Sequence, residues 1–269
     1  MSEFTPFHRG GSGSPLVLLH GFTGTWHIWE PVIGEPVIAA LEAEHDVFVP
    51  TLPAHAGGPE LTGEPSLRAV VDGIETLMDE QGFETAHIVG NSLGGYVTMD
   101  LAARGRARSA VAIAPAGGWA VGDPGLDETM DLFQEMDRQI RVAAPNVDAL
   151  VRTPEGRART VQFLTEHPEV MSPEQVTRIV LAAARCTDAV ELAETGGGED
   201  WSIDAAQIEC PVRFIWGTSD RILTWPTAAV RYRESFPHVD WVLLDGVGHC
   251  PQVDVPIETA QLILDFTRP

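Results

Sequence analysis

The sequence predicts an α/β fold, in which a mostly parallel sheet is flanked by helices and carries an inserted helical lid. Short apolar runs alternate with amphipathic segments, as in repeated βα units. The runs are apolar toward both faces, which is typical of strands covered by helices on each side. Between residues 119 and 199 only helical patterns occur. These patterns divide the chain into a first core segment (1–118), a helical lid (119–199) and a second core segment (200–269).

The strands are predicted from short runs that are rich in β-branched and other apolar residues. Six such runs occur, at residues 16–19, 46–49, 86–89, 109–114, 212–216 and 241–244. Because they are separated by helical patterns, we expect them to pair in parallel.

The helices are predicted from apolar stripes and from capping residues. Ser66 is placed to cap a helix that continues through residue 78, and Pro256 suits the first turn of a last helix ending near residue 266. Ser172 and Gln175 match a capping box at the start of a lid helix. The three lid helices are expected at residues 126–142, 154–167 and 173–194, with a flexible glycine joint at 196–198.

Composition and charge exclude several classes of protein. The chain has 269 residues, 44% of them hydrophobic, and a formal net charge of −22. Such an acidic surface repels phosphate backbones and anionic lipids, so neither nucleic acid nor a membrane is an expected partner. All 17 basic residues are arginine, which excludes Schiff-base lysines and the lysine of a phosphate-binding P-loop.

The cysteine content and the amino-terminal segment predict a cytoplasmic location. The three cysteines, Cys186, Cys210 and Cys250, form no C-x-x-C pair, which favours free thiols in a reducing compartment. The amino terminus lacks a basic region followed by an apolar run, and no stretch approaches the ~20 apolar residues of a membrane helix. Since no metal-binding motif occurs, we expect no metal. We also expect no other cofactor, and a small molecule as substrate. The oligomeric state is not predicted.

A candidate nucleophile lies directly after the third predicted strand. Residues 90–95 read G-N-S-L-G-G and fit the G-x-S-x-G elbow, in which a strand turns into a helix within a few residues. The glycines are needed because a Cβ at either position would collide with neighbouring backbone. The turn exposes the hydroxyl of Ser92 above the sheet edge, at the positive end of the following helix.

A serine hydroxyl needs a base, and the base needs an orienting acid. His249 follows the last predicted strand, and Asp220 follows the strand before it. Both positions fall at the carboxyl edge of a parallel sheet, where catalytic groups gather. Asp123, which follows the fourth strand, is the alternative position for the acid.

Developing negative charge on an acyl oxygen requires backbone N–H donors. The N–H of Leu93, just after the nucleophile, and that of Phe22, in the loop H-G-F-T-G at residues 20–24, are the candidates for this oxyanion hole. His20 is expected to bond loop backbone rather than to take part in chemistry.

Taken together, these motifs resemble the α/β-hydrolase superfamily over nearly the whole chain. The resemblance rests on residues 20–22, the elbow at 90–95, Asp220 and Gly248-His249, in the superfamily order Ser, Asp, His. It implies an α/β-hydrolase fold with a catalytic triad of Ser92, Asp220 and His249. Because the amino-terminal arm is short, one or two outer strands are expected to be missing or abbreviated.

The G-N-S-L-G-G run and the segment A-P-A-G-G at residues 114–118 are similar to those of meta-cleavage-product hydrolases, which split carbon–carbon bonds. This similarity implies that Asn91 lines a polar part of the site, and that a lid arginine, Arg178 or Arg185, binds a substrate carboxylate. Cys250 departs from the pattern, because those enzymes usually place an aromatic residue after the histidine. An apolar pocket under the lid is expected to draw on aromatic and methionine side chains: Trp26, Trp29, Trp119, Phe133, Met136 and Phe163.

The expected function is that of a serine hydrolase, which cleaves a small to medium, largely apolar carboxylic ester through an acyl-enzyme. Substrate contacts are expected from Asn91 and Trp119. Two alternatives stay open: hydrolysis of a carbon–carbon bond, and a non-catalytic receptor on the same fold. The serine at position 92 argues against haloalkane dehalogenases and epoxide hydrolases, which resemble this fold and use aspartate there.

Overall fold

A computed structural model of the protein, which describes residues 4–30, 37–61, 63–120, 122–186, 192 and 203–268, contains a seven-stranded sheet. The strand order is β1-β3-β2-β4-β5-β6-β7, with β1 antiparallel to β3 and the other neighbours parallel. All six predicted strands and the mostly parallel sheet are confirmed. The strands are β1 Phe7–Gly11, β2 Ser14–Leu19, β3 His45–Pro50, β4 Ala86–Asn91, β5 Ala107–Ile113, β6 Val212–Gly217 and β7 Asp240–Leu244.

The edge strand β1 is the strand that the apolar pattern did not predict. Its sequence, F-H-R-G-G, has one large apolar residue, and its side chains are exposed or half-buried. It forms because its backbone pairs antiparallel with β3, from Phe7 opposite Pro50 to Gly11 opposite Asp46. Such pairing depends on backbone groups and leaves no hydrophobic run in the sequence.

The described helices are α1 Val37–Glu42, α2 Leu67–Glu80, α3 Leu93–Ala103, α4 Gly125–Ala143, α5 Val147–Leu150, α6 Pro154–Val161, α7 Pro173–Arg185, α8 Val230–Ser235, α9 Pro251–Asp254 and α10 Pro256–Thr267. The predicted cap of α2 is confirmed, since the Ser66 side chain accepts a hydrogen bond from Ala69 N at 3.1 Å. Pro256 begins α10 as expected. In the described part of the chain, no helix combines the length and apolarity needed to cross a membrane.

The insertion between β5 and β6 contains α4 to α7. The capping box of α7 is confirmed, with both bonds between Ser172 and Gln175 present. The helix expected at 154–167 ends at Val161, because the segment that follows turns to hydrogen-bond with Asp254 of α9. The predicted glycine joint at 196–198 lies outside the described residues.

Both faces of the sheet are buried, and successive side chains alternate between them. Leu16 and Leu18 of β2 pack with residues of α1 and α10, whereas Val17 and Leu19 pack with α2 and α3. Because the central strands run parallel, their carboxyl ends meet at one edge. The loops after β2, β4, β6 and β7 meet there and carry the candidate site.

Candidate active site

Ser92 is the single residue between the end of β4 and the start of α3. Its backbone has φ +59° and ψ −118°, a conformation that residues with a side chain rarely adopt. The turn is held by backbone hydrogen bonds: Ser92 N donates to Ile113 O at 2.9 Å, and Ser92 O accepts from Tyr96 N and Ala116 N at 3.1 Å. The sharp strand-to-helix turn that the sequence predicts is therefore present.

The glycines around Ser92 are required by the closeness of neighbouring backbone. A Cβ at Gly90 would lie 2.0 Å from Gly94 O, and a Cβ at Gly94 would lie 2.4 Å from Leu19 O and 2.6 Å from His20 O. All three separations are far below contact distance. The end of β2 and the start of α3 can approach this closely only because no side chain stands between them.

His249 and Asp220 form a buried pair at the same sheet edge. His249 Nδ1 donates to Asp220 Oδ2 at 2.7 Å, and the two residues are 3% and 4% exposed. Asp220 Oδ1 accepts from the N–H groups of Ile222 and Leu223 at 2.8 and 2.9 Å, which fixes the carboxylate. Asp123, the alternative acid, instead accepts from an N–H at the start of α4.

Ser92 and His249 line the same cavity. Because Nδ1 of His249 is bound to Asp220, Nε2 is the ring nitrogen that remains for the serine. In the described part of the chain, Ser92 Oγ and His249 form no hydrogen bond with each other. Such bonds are often long until substrate binds.

The two candidate oxyanion donors flank Ser92. Leu93 is the first residue of α3, so its N–H has no partner within the helix. The loop after β2 passes directly beside the serine, since a Cβ at Gly21 would lie 3.1 Å from Ser92 Cβ. Among the hydrogen bonds of the described residues, none uses the N–H of Phe22 or Leu93 as donor.

His20 fixes the loop that contains Phe22. Its Nδ1 donates to Gly21 O at 2.7 Å, and its Nε2 accepts from Leu52 N at 2.9 Å. Burial holds the pKa of His20 well below its usual range and lowers that of His55 to about 4. The His55 ring lies 5.1 Å from that of His20, and its Nδ1 donates to Pro53 O. The expectation that His20 bonds backbone is confirmed.

Asn91 lines the cavity, yet its side-chain amide is bound to other parts of the protein. Its Nδ2 donates to His249 O at 3.0 Å and, more weakly, to Ile113 O at 3.3 Å. Its Oδ1 accepts from Gln252 Nε2 at 3.0 Å and from Cys250 Sγ at 3.3 Å. Asn91 therefore joins the elbow to the loop of His249.

Asp254 is a buried acid that the sequence reasoning missed. Its carboxylate accepts from Gly248 N at 2.6 Å, from Glu166 N at 3.1 Å, from His167 N at 3.3 Å and from the hydroxyl of Thr165. It thus ties the lid to the loop that carries His249. One aspartate within the otherwise apolar run V-D-V-P-I at residues 253–257 is the signal that points to it.

Ser92 lines two cavities. The first also contains His249, Asn91, Phe133 and Met136. The second is lined, apart from Ser92, by apolar side chains: Phe22, Leu67, Leu93, Ala116, Trp119, Met130, Phe133, Leu192 and Leu223. Of the aromatic and methionine residues expected to form a pocket, Trp119, Phe133 and Met136 therefore line cavities. Trp26, Trp29 and Phe163 belong to or pack against the hydrophobic core.

The two candidate lid arginines differ in position. Arg178 of α7 lines the first cavity and forms an ion pair with Glu30. Arg185 lies 5.1 Å above the ring of Phe4, at a separate surface cleft. Within the described ranges, no three His, Cys, Asp or Glu side chains are grouped so that they could hold a metal ion.

A parallel sheet with a serine at a strained strand-to-helix turn, beside a buried His–Asp pair, is the arrangement of an α/β hydrolase. Residues 16–262 match the model of the Alpha/beta hydrolase family. The chain belongs to this family of enzymes.

Similar proteins include one sequence relative and two solved structures, each with a different activity in its name. The chain is 31% identical to an epoxide hydrolase of Mycobacterium tuberculosis over 202 residues. The aligned region covers 75% of this chain and 94% of that protein. The enol-lactonase from Burkholderia xenovorans LB400 superposes with a TM-score of 0.70 at 20% identity, over 97% of this chain and 95% of that one. The meta-cleavage product hydrolase from Pseudomonas fluorescens IP01 superposes with a TM-score of 0.69 at 18% identity, over 97% of this chain and 92% of that one. At such low identity, the two solved structures show a shared fold.

Asp254→Asn should reduce both stability and turnover. An asparagine replaces one acceptor oxygen by an NH2 group, which then faces N–H donors in a buried site. We expect a loss of about 3 kcal/mol in the free energy of unfolding and at least about a tenfold fall in kcat for a hydrolysed substrate. Asp265→Asn, at an exposed position on α10, is the matched control for urea unfolding and kinetics. Equal values for the two variants would contradict the role given to Asp254.

Acidification should destabilise the fold through its buried histidines. His55 has a pKa of about 4 in the folded chain and about 6.5 when unfolded, so in this interval the unfolded state binds the extra proton. Stability therefore falls as pH falls from 6.5 toward 4, by about 1.4 kcal/mol per pH unit from His55. Urea titrations between pH 7 and 5 should show that the free energy of unfolding depends less steeply on pH in His55→Asn than in the wild type. The exposed control His238→Asn should retain the wild-type slope; an unchanged slope in His55→Asn would contradict the prediction.

Proposed function

We propose that the chain is a serine hydrolase that cleaves small to medium, largely apolar carboxylic esters through an acyl-enzyme. One observation carries the proposal: His249, whose Nδ1 forms a buried hydrogen bond of 2.7 Å with Asp220 Oδ2, lines the same cavity as Ser92. A carboxylate-bound imidazole beside a serine at a strained turn is suited to activating that hydroxyl.

In the proposed mechanism, Nε2 of His249 takes the proton of Ser92 as Oγ attacks the ester carbonyl. Asp220 keeps the imidazole in the required tautomer and stabilises its cationic form. The N–H groups of Phe22 and Leu93 receive the oxyanion, assisted by the N-terminus of α3. Protonated His249 then donates to the leaving alcohol, which leaves an acyl group on Ser92.

Water completes the reaction by a second attack on the same carbonyl carbon. His249 takes a proton from the water, and the oxyanion donors act again. Collapse of this second intermediate releases the carboxylic acid and returns the proton to Ser92. Each step needs His249 in a fixed position, which Asn91 and Asp254 support by holding the backbone around it.

The two cavities support a substrate with one part on each side of Ser92. Because the second cavity has only apolar side chains around Ser92, it is suited to a hydrocarbon group. Trp119 contributes to this apolar wall. Asn91 is proposed as a positioning residue rather than a direct substrate contact, because its amide already has protein partners.

The epoxide hydrolase relative does not change this proposal. Attack of a carboxylate on an epoxide gives an ester, which water can cleave at the carbonyl. Attack of a serine would give an ether, which has no carbonyl carbon for water to attack. Ser92 therefore supports acyl chemistry over epoxide opening.

Carbon–carbon bond hydrolysis is the second candidate, favoured by the position of Arg178 in the first cavity. A diketo acid would require that arginine to bind a carboxylate. However, the guanidinium already pairs with the carboxylate of Glu30. Ester hydrolysis needs no such exchange and is the better supported reaction.

Ser92→Ala should lower kcat for p-nitrophenyl acyl esters by at least about 10³-fold, because the nucleophile is lost. A fluorophosphonate probe should label Ser92 in the wild type and not in this variant. Ser235→Ala, at an exposed position on α8, is the control. Turnover unchanged in Ser92→Ala would contradict the mechanism, and failure to label folded wild-type protein would favour the non-catalytic receptor.

The rates at which the wild type consumes ester and carbon–carbon substrates should distinguish the two candidate reactions. We expect the wild type to hydrolyse short- and medium-chain p-nitrophenyl esters and a lactone faster than it consumes a vinylogous diketo acid, since Arg178 is neutralised. Loss of the coloured dienolate is followed by absorbance. Faster decay of the dienolate than of every ester would reverse the order of the two candidates.

A further inference from the structure

The first cavity has a polar region that the proposed mechanism does not use. Arg178 of α7 and Glu30, which follows the helical turn Trp26–Trp29, form an ion pair between the lid and the core. His27 lines the same cavity, and its Nδ1 lies 3.1 Å from the hydroxyl of Thr25. His27, Glu30 and Arg178 are termed the polar cluster.

The charges of the polar cluster cancel within the protein. The Arg178 and Glu30 side chains are 29% and 27% exposed, so the pair is partly shielded from water. A substrate carboxylate that approached Arg178 would also meet the carboxylate of Glu30. A substrate ammonium that approached Glu30 would meet Arg178. Either ion would lose solvation without gaining a free partner.

His27 adds a hydrogen-bonding group without adding charge. Burial is the main cause, and nearby Arg178 the second, of a pKa of about 4 for this histidine, so the imidazole is neutral near pH 7. With Nδ1 directed to Thr25, Nε2 remains for a ligand. A neutral imidazole beside a neutralised ion pair offers both donors and acceptors for a hydroxyl or an amide.

We propose that the polar cluster selects substrates with an uncharged hydrogen-bonding group, a hydroxyl or a primary amide, on the part of the ester that occupies the first cavity. Glu30 is the residue that prevents Arg178 from binding a carboxylate. This inference rests on the proposed ester hydrolysis. Together with the apolar second cavity, the polar cluster defines the expected substrate. The part of the ester on one side of the scissile bond is a hydrocarbon, and the part on the other side ends in a neutral polar group.

The test uses two matched series of esters. One carries a terminal methyl, hydroxyl, primary amide or carboxylate on acyl chains of graded length, and the other carries the same groups on the alcohol of butyrate esters. Both series are needed because either half of the ester can occupy the first cavity. In one series or both, the wild type should have a higher kcat/KM for the amide and hydroxyl than for the carboxylate.

Glu30→Gln should release Arg178 and reverse this preference. We expect the ratio of kcat/KM for carboxylate to that for amide to rise at least about fivefold in the series that reaches the polar cluster. In Glu30→Gln combined with Arg178→Gln, the rise should disappear. Glu44→Gln, which breaks an exposed ion pair with Arg268 and changes the net charge equally, should leave the ratio unchanged. A ratio that rises less than fivefold in both series overturns the inference.

Failure of the proposed function gives a different result. If the wild type cleaves none of the methyl-terminated esters and Ser92 is not labelled by a fluorophosphonate, ester hydrolysis is wrong. The polar cluster is then tested by binding of the same compounds to Ser92→Ala, measured by calorimetry. Glu30→Gln must still shift binding from amide toward carboxylate in that background, and an unchanged order overturns the inference there as well.

Discussion

The reversal of the chain at Ser92, from β4 into α3 within one residue, is the constraint on which the rest of the site depends. The strained backbone at φ +59° presents the hydroxyl at the sheet edge and places the N–H of Leu93 beside it. Neighbouring backbone then lies so close that Gly90 and Gly94 have no room for a Cβ. The same packing brings the loop after β2, with its candidate donor Phe22, against the serine. One local conformation thus brings together the candidate nucleophile and both candidate oxyanion donors.

The position of His249 depends on contacts from several elements. Asp220 holds the imidazole through Nδ1, Asn91 binds the backbone carbonyl of the same residue, and Asp254 binds the N–H of Gly248. Asp254 also accepts hydrogen bonds from the lid segment at 165–167. The lid is therefore joined, through Asp254, to the loop of the candidate base.

The parts of this arrangement that follow local patterns were predictable from the sequence. The apolar runs predicted six strands, and the G-x-S-x-G spacing predicted the turn at Ser92. The pairing of Asp220 with His249 followed because both residues come after neighbouring parallel strands. By contrast, β1 depends on backbone pairing, and the ion pair of Arg178 with Glu30 joins residues 148 positions apart. No local pattern specifies such contacts, nor the hydrogen bond by which the amide of Asn91 joins the loop of His249.

Trapping of the covalent intermediate tests the central claim most directly. The protein is mixed with a p-nitrophenyl ester, quenched with acid within milliseconds and analysed by mass spectrometry of the intact chain and its peptides. We expect an added mass equal to one acyl group, located on the peptide that contains Ser92, which appears before steady-state turnover and disappears once the ester is consumed. Ester hydrolysis with no acyl group on the chain, or with the acyl group on another residue, would contradict the account.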